Sequence, residues 1–249
     1  MHFVNFKVVC KGIVFLIFFL TSCLIFFNSC GLDTYYVIEA PYNTIHEPTT
    51  VSGYQDCYFS FYTNEDNSQA GFSFDGTDVY YRIYDSLPEM QTKVSALQNL
   101  AISNSEATTS LIKPALSGGY GYRPLKCSSI PSSTLIPRSG DDGENRRVDI
   151  RLTNYTDVAT FKAYIKVDGL EIGIPLRESG TTFDFGRSGS INQKPASTDS
   201  DYSYSSSSSD YKYVAMFAFS VGHDSAYSTY YSNILYLGAV AIDSSSENN

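Results

Sequence analysis

The chain closes with its two most strongly patterned stretches, YKYVAMFAFSV at residues 211–221 and NILYLGAVAI at residues 233–242. Both are rich in aromatic and aliphatic residues, which pleated and half-buried surfaces favour. Both are bounded by polar, turn-forming residues, as is typical of buried strands. The sequence therefore predicts two strong strands here.

Shorter stretches upstream alternate apolar and polar residues with the two-residue period of strands. Two Asp-Gly pairs, Asp75-Gly76 and Asp168-Gly169, separate neighbouring strands and predict tight turns. Residues 104–145 are rich in Ser, Pro and Gly and predict a long segment on the surface with at most short strands. Residues 188–210 are Ser-rich and predict a mobile surface loop. The strands predicted in this way lie at residues 54–62, 71–74, 77–84, 147–153, 161–167 and 170–176.

One helix is predicted at residues 87–102. Ser86 and Glu89 have the spacing of a capping box, and Pro88 lies in the first turn, where its missing N–H costs nothing. Apolar residues then recur at steps of three and four, which favours packing of the helix against a sheet. The apolar face comprises Leu87, Met90, Val94, Leu97 and Ala101.

The closing strands resemble the final hairpin of fibronectin type III domains. In residues 213–222 a tyrosine opens a strand that ends at a glycine turn, and Ser232-Asn233 begins the last strand. Residues 75–84 resemble the third strand of that fold. The resemblance implies an all-β, antiparallel β-sandwich of the fibronectin type III or immunoglobulin-like kind, with about seven to nine strands, long loop insertions and one amphipathic helix. We expect this single domain at residues 52–243 and a disordered tail at 244–249.

In a fibronectin-like arrangement the loops at residues 63–76 and 222–232 emerge at the same end of the sandwich. The second loop is rich in Tyr and Ser, the mixture that binding loops favour, so Tyr227, Tyr230 and Tyr231 are the candidate ligand-binding residues. Asn64, Glu65, Asp66 and Asn67 in the first loop are expected to add polar contacts. In the alternative interpretation the three tyrosines fold back and cover the end of the sandwich.

The N-terminal stretch GIVFLIFFLTSCLIFFNSC, residues 12–30, predicts the cellular location of the protein. It follows Lys7 and Lys11 and precedes polar residues, as the apolar region of an export signal does. Its apolar part is shorter than a membrane-spanning helix, although an uncleaved short span is the alternative. Residues 27–30, Phe-Asn-Ser-Cys, resemble a bacterial lipobox with the relaxed first positions of spirochaete lipoproteins. The resemblance implies a signal peptide at residues 1–29 and a diacylglyceryl, palmitate-bearing Cys30 at the start of the mature chain.

Residues 20–23, Leu-Thr-Ser-Cys, match a strict lipobox better as a string. Cleavage before Cys23 would leave four apolar residues at the new N-terminus, which favours Cys30. The residues from Cys30 to Tyr36, CGLDTYY, resemble the mature starts of Treponema-type surface lipoproteins. That resemblance implies a lipid anchor in the bacterial cell envelope, with the outer membrane favoured, and residues 30–51 are interpreted as a lipidated tether.

Composition and motifs restrict the function. The formal net charge of -9 disfavours nucleic acid as a partner. No Gly-x-Ser-x-Gly, His-Glu-x-x-His or phosphate-binding Gly motif occurs, so we predict no catalytic residue, metal or cofactor. The expected function is a non-catalytic envelope or surface binding module for a protein or carbohydrate, in an unknown oligomeric state. The alternatives are a structural envelope component and a divergent hydrolase.

Cys57 and Cys127 are the cysteines that remain beyond Cys30 in the predicted mature chain. An exported protein permits a disulfide between them, and such a bridge would close a long loop. Cys57 also falls on the same side of its strand as Phe59 and Phe61, where a buried free thiol is equally suitable. The sequence leaves both alternatives open.

The lipid is predicted to be attached to Cys30. Metabolic labelling of expressing bacteria with a radioactive fatty acid should label the wild type and Cys23→Ala equally, and Cys30→Ala should carry no label. Label that disappears in Cys23→Ala and persists in Cys30→Ala would contradict the prediction.

Overall fold

The computed structural model describes residues 36–67, 69–103, 109–130, 134–140, 143–154, 162–185, 194–206 and 209–244. The predicted signal peptide and Cys30 lie outside these residues. The residues from Tyr36 onward form one compact unit.

The described residues are mostly β-structure, with two α-helices and single turns of 3₁₀- and π-helix. The helices are α1 (Leu87–Ser103) and α2 (Thr109–Pro114). The strands are β1 (Tyr42–His46), β2 (Phe59–Tyr62), β3 (Phe72–Tyr84), β4 (Arg123–Pro124), β5 (Lys126–Cys127), β6 (Ile136–Pro137), β7 (Arg147–Arg151), β8 (Tyr164–Val167), β9 (Leu170–Gly173), β10 (Pro175–Leu176), β11 (Tyr202–Ser203), β12 (Tyr211–Asp224), β13 (Thr229–Tyr231) and β14 (Leu235–Asp243).

These strands confirm the predicted all-β class and form a sandwich of two sheets. A five-stranded antiparallel sheet has the order β1-β2-β7-β8-β9. In a seven-stranded sheet, β12 pairs with β3 along one edge and with β14 and β13 along the other. Side chains from both sheets, among them Phe59, Ile150, Tyr81 and Met216, form the main hydrophobic core between them. The strands outnumber the predicted seven to nine because several two-residue strands join the sheet edges.

Helix α1 covers the outer face of the seven-stranded sheet, as predicted. The Ser86 hydroxyl accepts the Glu89 amide N–H at 3.4 Å and caps the helix, whereas the Glu89 carboxylate turns away to the Ser203 hydroxyl. Four residues of the predicted face, Met90, Val94, Leu97 and Ala101, are buried, and Leu87 is half-buried. Most of this face packs on a second hydrophobic cluster that includes Tyr80, Phe217 and Phe219.

The two predicted Asp-Gly turns have different outcomes. Asp168 and Gly169 have φ values of 51° and 80° and join β8 to β9 in the predicted hairpin. The prediction of a turn at Asp75-Gly76 is wrong, because β3 continues through both residues. Gly76 pairs with Val221 and Phe74 with Gly222, so Asp75 is an extra residue in a β-bulge. The glycine serves the bulge instead of a turn.

The body extends further towards the N-terminus than predicted. Residues 36–51, predicted as part of the tether, belong to the body: β1 pairs with β2, and the Pro48 carbonyl accepts the Ala239 amide N–H at 3.3 Å. The predicted disordered tail also begins too early, because the Ser244 amide and hydroxyl both donate to the Asp210 carbonyl. Residues 245–249 lie outside the described part.

Part of the predicted mobile loop at 188–210 is held by buried charges. Arg177 donates two hydrogen bonds to the Asp201 carboxylate, at 2.9 and 2.6 Å, and a third to Asp199. The Tyr81 hydroxyl also donates to Asp201, and β11 then pairs in parallel with the end of β3. This network fixes residues 199–203 on the sandwich. Residues 186–193 and 207–208 lie outside the description.

The disulfide considered between Cys57 and Cys127 does not form in the structure, where both thiols are free and buried. Each thiol donates to a different backbone carbonyl, Cys57 to Ser52 at 3.2 Å and Cys127 to Ile172 at 3.5 Å. Both side chains lie in the main hydrophobic core. The structure therefore favours the alternative in which both side chains are buried thiols.

Gly76 is expected to tolerate no side chain. Its φ is +138°, and an added Cβ would lie 2.1 Å from the Ile136 carbonyl oxygen and 2.9 Å from the Arg138 nitrogen. Gly76→Ala should lower the free energy of unfolding by about 3 kcal/mol or more, measured by urea denaturation. The control is Gly53→Ala, whose Cβ meets nothing within 4 Å. Equal effects of the two substitutions would contradict the assignment of the bulge.

Candidate functional site at the sandwich tip

The structure places residues 72–76, the end of the first predicted loop, beside residues 221–224 at the start of the second. Strand β12 continues past Val221 and pairs with the first residues of β3, so that Gly222 faces Phe74 and Asp224 faces Phe72. After a turn at residues 225–228, β13 returns along the same edge of β12 as β14. We call this turn and the flanking residues 222–231 the tip.

Asp224 organises the turn. Its carboxylate accepts the amide N–H groups of Ala226 at 2.9 Å and Ser228 at 2.8 Å, and it accepts the Tyr230 hydroxyl at 3.1 Å. These hydrogen bonds, led by the one from Ser228, lower the pKa of the Asp224 carboxyl, and the bond to Asp224 raises the pKa of Tyr230. Folding lowers the pKa of the Asp224 carboxyl. The ionised carboxylate therefore contributes fully to the stability of the folded state at neutral pH, and this contribution is lost as the pH falls through the lowered pKa.

Tyr227 is the exposed tyrosine of the tip, with 82% of its surface accessible. Its backbone adopts φ 62°, an uncommon conformation for an aromatic residue, and its N–H donates to the Asp224 carbonyl at 3.0 Å. Its ring stacks on His223 with centroids 5.4 Å apart and an angle of 8° between the planes. His223 in turn contacts the Asp75 carboxylate at 2.9 Å. The turn therefore holds an aromatic side chain outward in a defined orientation.

The other two candidate tyrosines fold back onto the body. Tyr230 makes edge contacts with Tyr36 and Phe72 at 5.2 and 6.3 Å between ring centroids. Tyr231 packs edge-on against Phe219 at 5.7 Å, and the Lys113 ammonium lies 5.0 Å from its ring centroid. The alternative interpretation, in which the tyrosines cover the sandwich end, thus describes Tyr230 and Tyr231, and the binding hypothesis is left with Tyr227.

The polar residues expected from the first loop are mostly structural. Asn64, Glu65 and Asn67 are buried, and Asp66 alone of the four is exposed. Asn64 and Asn67 bond residues 39–40, and Glu65 forms an ion pair with Arg146 at 2.9 Å. These side chains attach the N-terminal segment and the loop before β7 to the body, so they are unavailable to a ligand.

Sequence reasoning missed the roles of Asp224, Asp75 and Tyr36. Asp224 had a local signal, because an aspartate followed by small residues commonly accepts the amides of its own turn. Asp75 and Tyr36 had no such signal, because both contact the tip from positions distant in the chain.

The described part of the chain was also compared with two other kinds of functional feature, metal sites and membrane-spanning helices. Its residues contain no group of three or more His, Cys, Asp or Glu side chains placed to hold a metal ion. Among its helices, none is both long enough and apolar enough to cross a membrane. The chain matches no protein-family model, no curated protein and no solved structure.

The tyrosines of the tip are expected to differ in their effect on stability. Tyr227→Ala should change the free energy of unfolding by less than about 0.5 kcal/mol, because the side chain contacts mainly His223 and solvent. Tyr231→Ala should lower it by about 2 kcal/mol, because its ring packs on the core beside Phe219. Urea denaturation of both variants tests the difference. A larger loss in Tyr227→Ala than in Tyr231→Ala would contradict this division.

Proposed function

We propose that the chain is a lipid-anchored lipoprotein of the bacterial cell envelope, related in fold to fibronectin type III domains. In this proposal its sandwich is a non-catalytic module that binds a partner through the tip. The observation that carries the binding role is Tyr227, an exposed aromatic residue held in a left-handed backbone conformation. Such backbone strain, which costs about 1 kcal/mol or more, persists only where surrounding contacts impose it and is common at binding sites.

The construction of the tip supports recognition. Asp224 fixes the turn from within, so a bound partner would not have to order it. The stacked rings of His223 and Tyr227 offer a rigid, amphipathic contact area. Aspartates 75 and 224 at the same end favour a partner that is neutral or basic over an acidic one.

The position of Tyr36 supports a partner that lies at the membrane surface. Its ring contacts Phe72 at 5.3 Å and Tyr230 at 5.2 Å, so the chain enters the body beside the tip. If Cys30 carries the lipid, only residues 31–35 intervene, and six residue steps span at most about 20 Å. The tip would then work close to the anchoring membrane, on another envelope component.

Photo-crosslinking in intact cells tests this proposal. Replacement of Tyr227 by benzoylphenylalanine should give, on irradiation, a discrete adduct with an envelope protein or glycan. The matched control is the same replacement at Tyr204, which is 61% exposed and follows β11 at the other end of β3. The control should give no such adduct.

Loss of the adduct's added mass on glycosidase treatment would identify a carbohydrate partner, and peptides of a second protein in the digested adduct would identify a protein partner. Equal adducts at positions 227 and 204 would overturn the proposal, as would crosslinking to phospholipid alone, because neither shows recognition by the tip.

A further inference from the structure

A small cavity lies on the outer face of the seven-stranded sheet, at the end of β3 opposite to the tip. Its volume is about 180 Å³, and part of its wall is the main chain at residues 118–121, where a turn of π-helix ends. This volume is below the roughly 300 Å³ at which sites for drug-sized ligands begin. The cavity therefore suits one small chemical group. Its side-chain lining includes Arg82, Tyr84, Glu89, Lys93, Tyr120 and Ser203.

Arg82 brings a positive charge without a carboxylate partner among the described residues. Its Nη1 donates to the carbonyl oxygens of Gly121, at 2.5 Å, and Ser200, at 3.3 Å. A guanidinium has five N–H donors, and within the described residues Nε and Nη2 of Arg82 donate to no acceptor. The main chain thus holds one side of the guanidinium and leaves donors on the other.

Gly121 is required for this arrangement. Its φ is +68°, and an added Cβ would lie 2.0 Å from Nη1 and 2.7 Å from Cζ of Arg82. Any side chain at this position would displace the guanidinium. The glycine therefore allows the close contact that orients Arg82 in the wall of the cavity.

Lys93 supplies a second positive charge from α1. Its ammonium lies 5.8 Å from the Tyr120 ring centroid and forms no ion pair with a described residue. Glu89 lies four residues earlier on the helix, but its Oε1 accepts the Ser203 hydroxyl at 2.7 Å. Glu89 and Lys93 are therefore not paired, although their spacing would permit it.

We propose that this cavity binds a small oxyanion, the carboxylate or phosphate group of a ligand. Two cationic side chains and one carboxylate line it, in a chain whose formal net charge is -9. Hydrogen bonds from guanidinium and ammonium groups to oxyanions are short and charge-assisted, and an anion would use the unoccupied donors of both. The site is independent of the tip and of the lipid anchor.

Isothermal titration calorimetry of the full chain in non-ionic detergent tests the site, with inorganic phosphate and malonate as separate probes. At least one probe should bind with a dissociation constant of about 1 mM or tighter, and the stronger one identifies the preferred anion. Lys93→Gln should weaken binding by about five- to tenfold. Glu89→Gln should strengthen it by about two- to fivefold, because a negative charge leaves the cavity.

The matched control is Lys166→Gln, which removes the same charge from β8 in the other sheet and should leave binding unchanged. Lys93 is exposed and Glu89 is half-buried on α1, so their variants test the site without a change to Arg82 and its contacts with the main chain. Absence of binding of both anions at about 10 mM would overturn the proposal. Weakening of equal size in Lys93→Gln and Lys166→Gln would do so as well, because it would reflect net charge alone.

Discussion

The structure depends on the burial of β12 on both of its faces. Nine consecutive residues of this strand, from Val214 to Gly222, are buried. Val214, Met216 and Ala218 face the core between the sheets, and Ala215, Phe217 and Phe219 face the layer that contains α1. An antiparallel strand covered on one face only would alternate apolar and polar residues, but in this stretch Ser220 is the single polar side chain. It therefore requires both the opposite sheet and the helical layer.

The same long strands separate the two candidate sites. β3 begins at Phe72 beside the tip and ends at Tyr84 beside the oxyanion cavity. At about 3.3 Å per residue, its 13 residues place the two ends roughly 40 Å apart. One sheet thus offers two separate surfaces, and Tyr36, the first described residue, packs beside the tip.

Buried charges attach the segments that the sandwich alone would not hold. Arg177 and Asp201 are each about 3% exposed, and Tyr81, which donates to the same carboxylate, is fully buried. Burial of the Tyr81 hydroxyl is the main reason that its pKa is raised far above its ordinary value. Removal of Arg177 would leave the buried Asp201 carboxylate without its cationic partner, which is costly. This network gives residues 199–203 one position on the end of β3.

Elements whose signals are local could be predicted from the sequence. The apolar spacing and the Ser86 cap specify α1, the Asp168-Gly169 pair specifies the β8–β9 hairpin, and the closing apolar stretches specify β12 and β14. The signals for export and lipidation are also local, and they remain predictions. These features depend on neighbours within a few residues, which the chain displays directly.

The remaining features depend on tertiary contacts. Gly76 has the same Asp-Gly signature as Gly169, yet pairing with β12 and β6 makes it part of a bulge. One loop contains all three candidate tyrosines. Tyr230 packs on Phe72 and Tyr231 on Phe219, whereas Tyr227 is exposed. Arg82 and Lys93 line one cavity only because β3 and α1 pack together. In each case the deciding contact comes from a different element of the fold, whose position the local pattern does not contain.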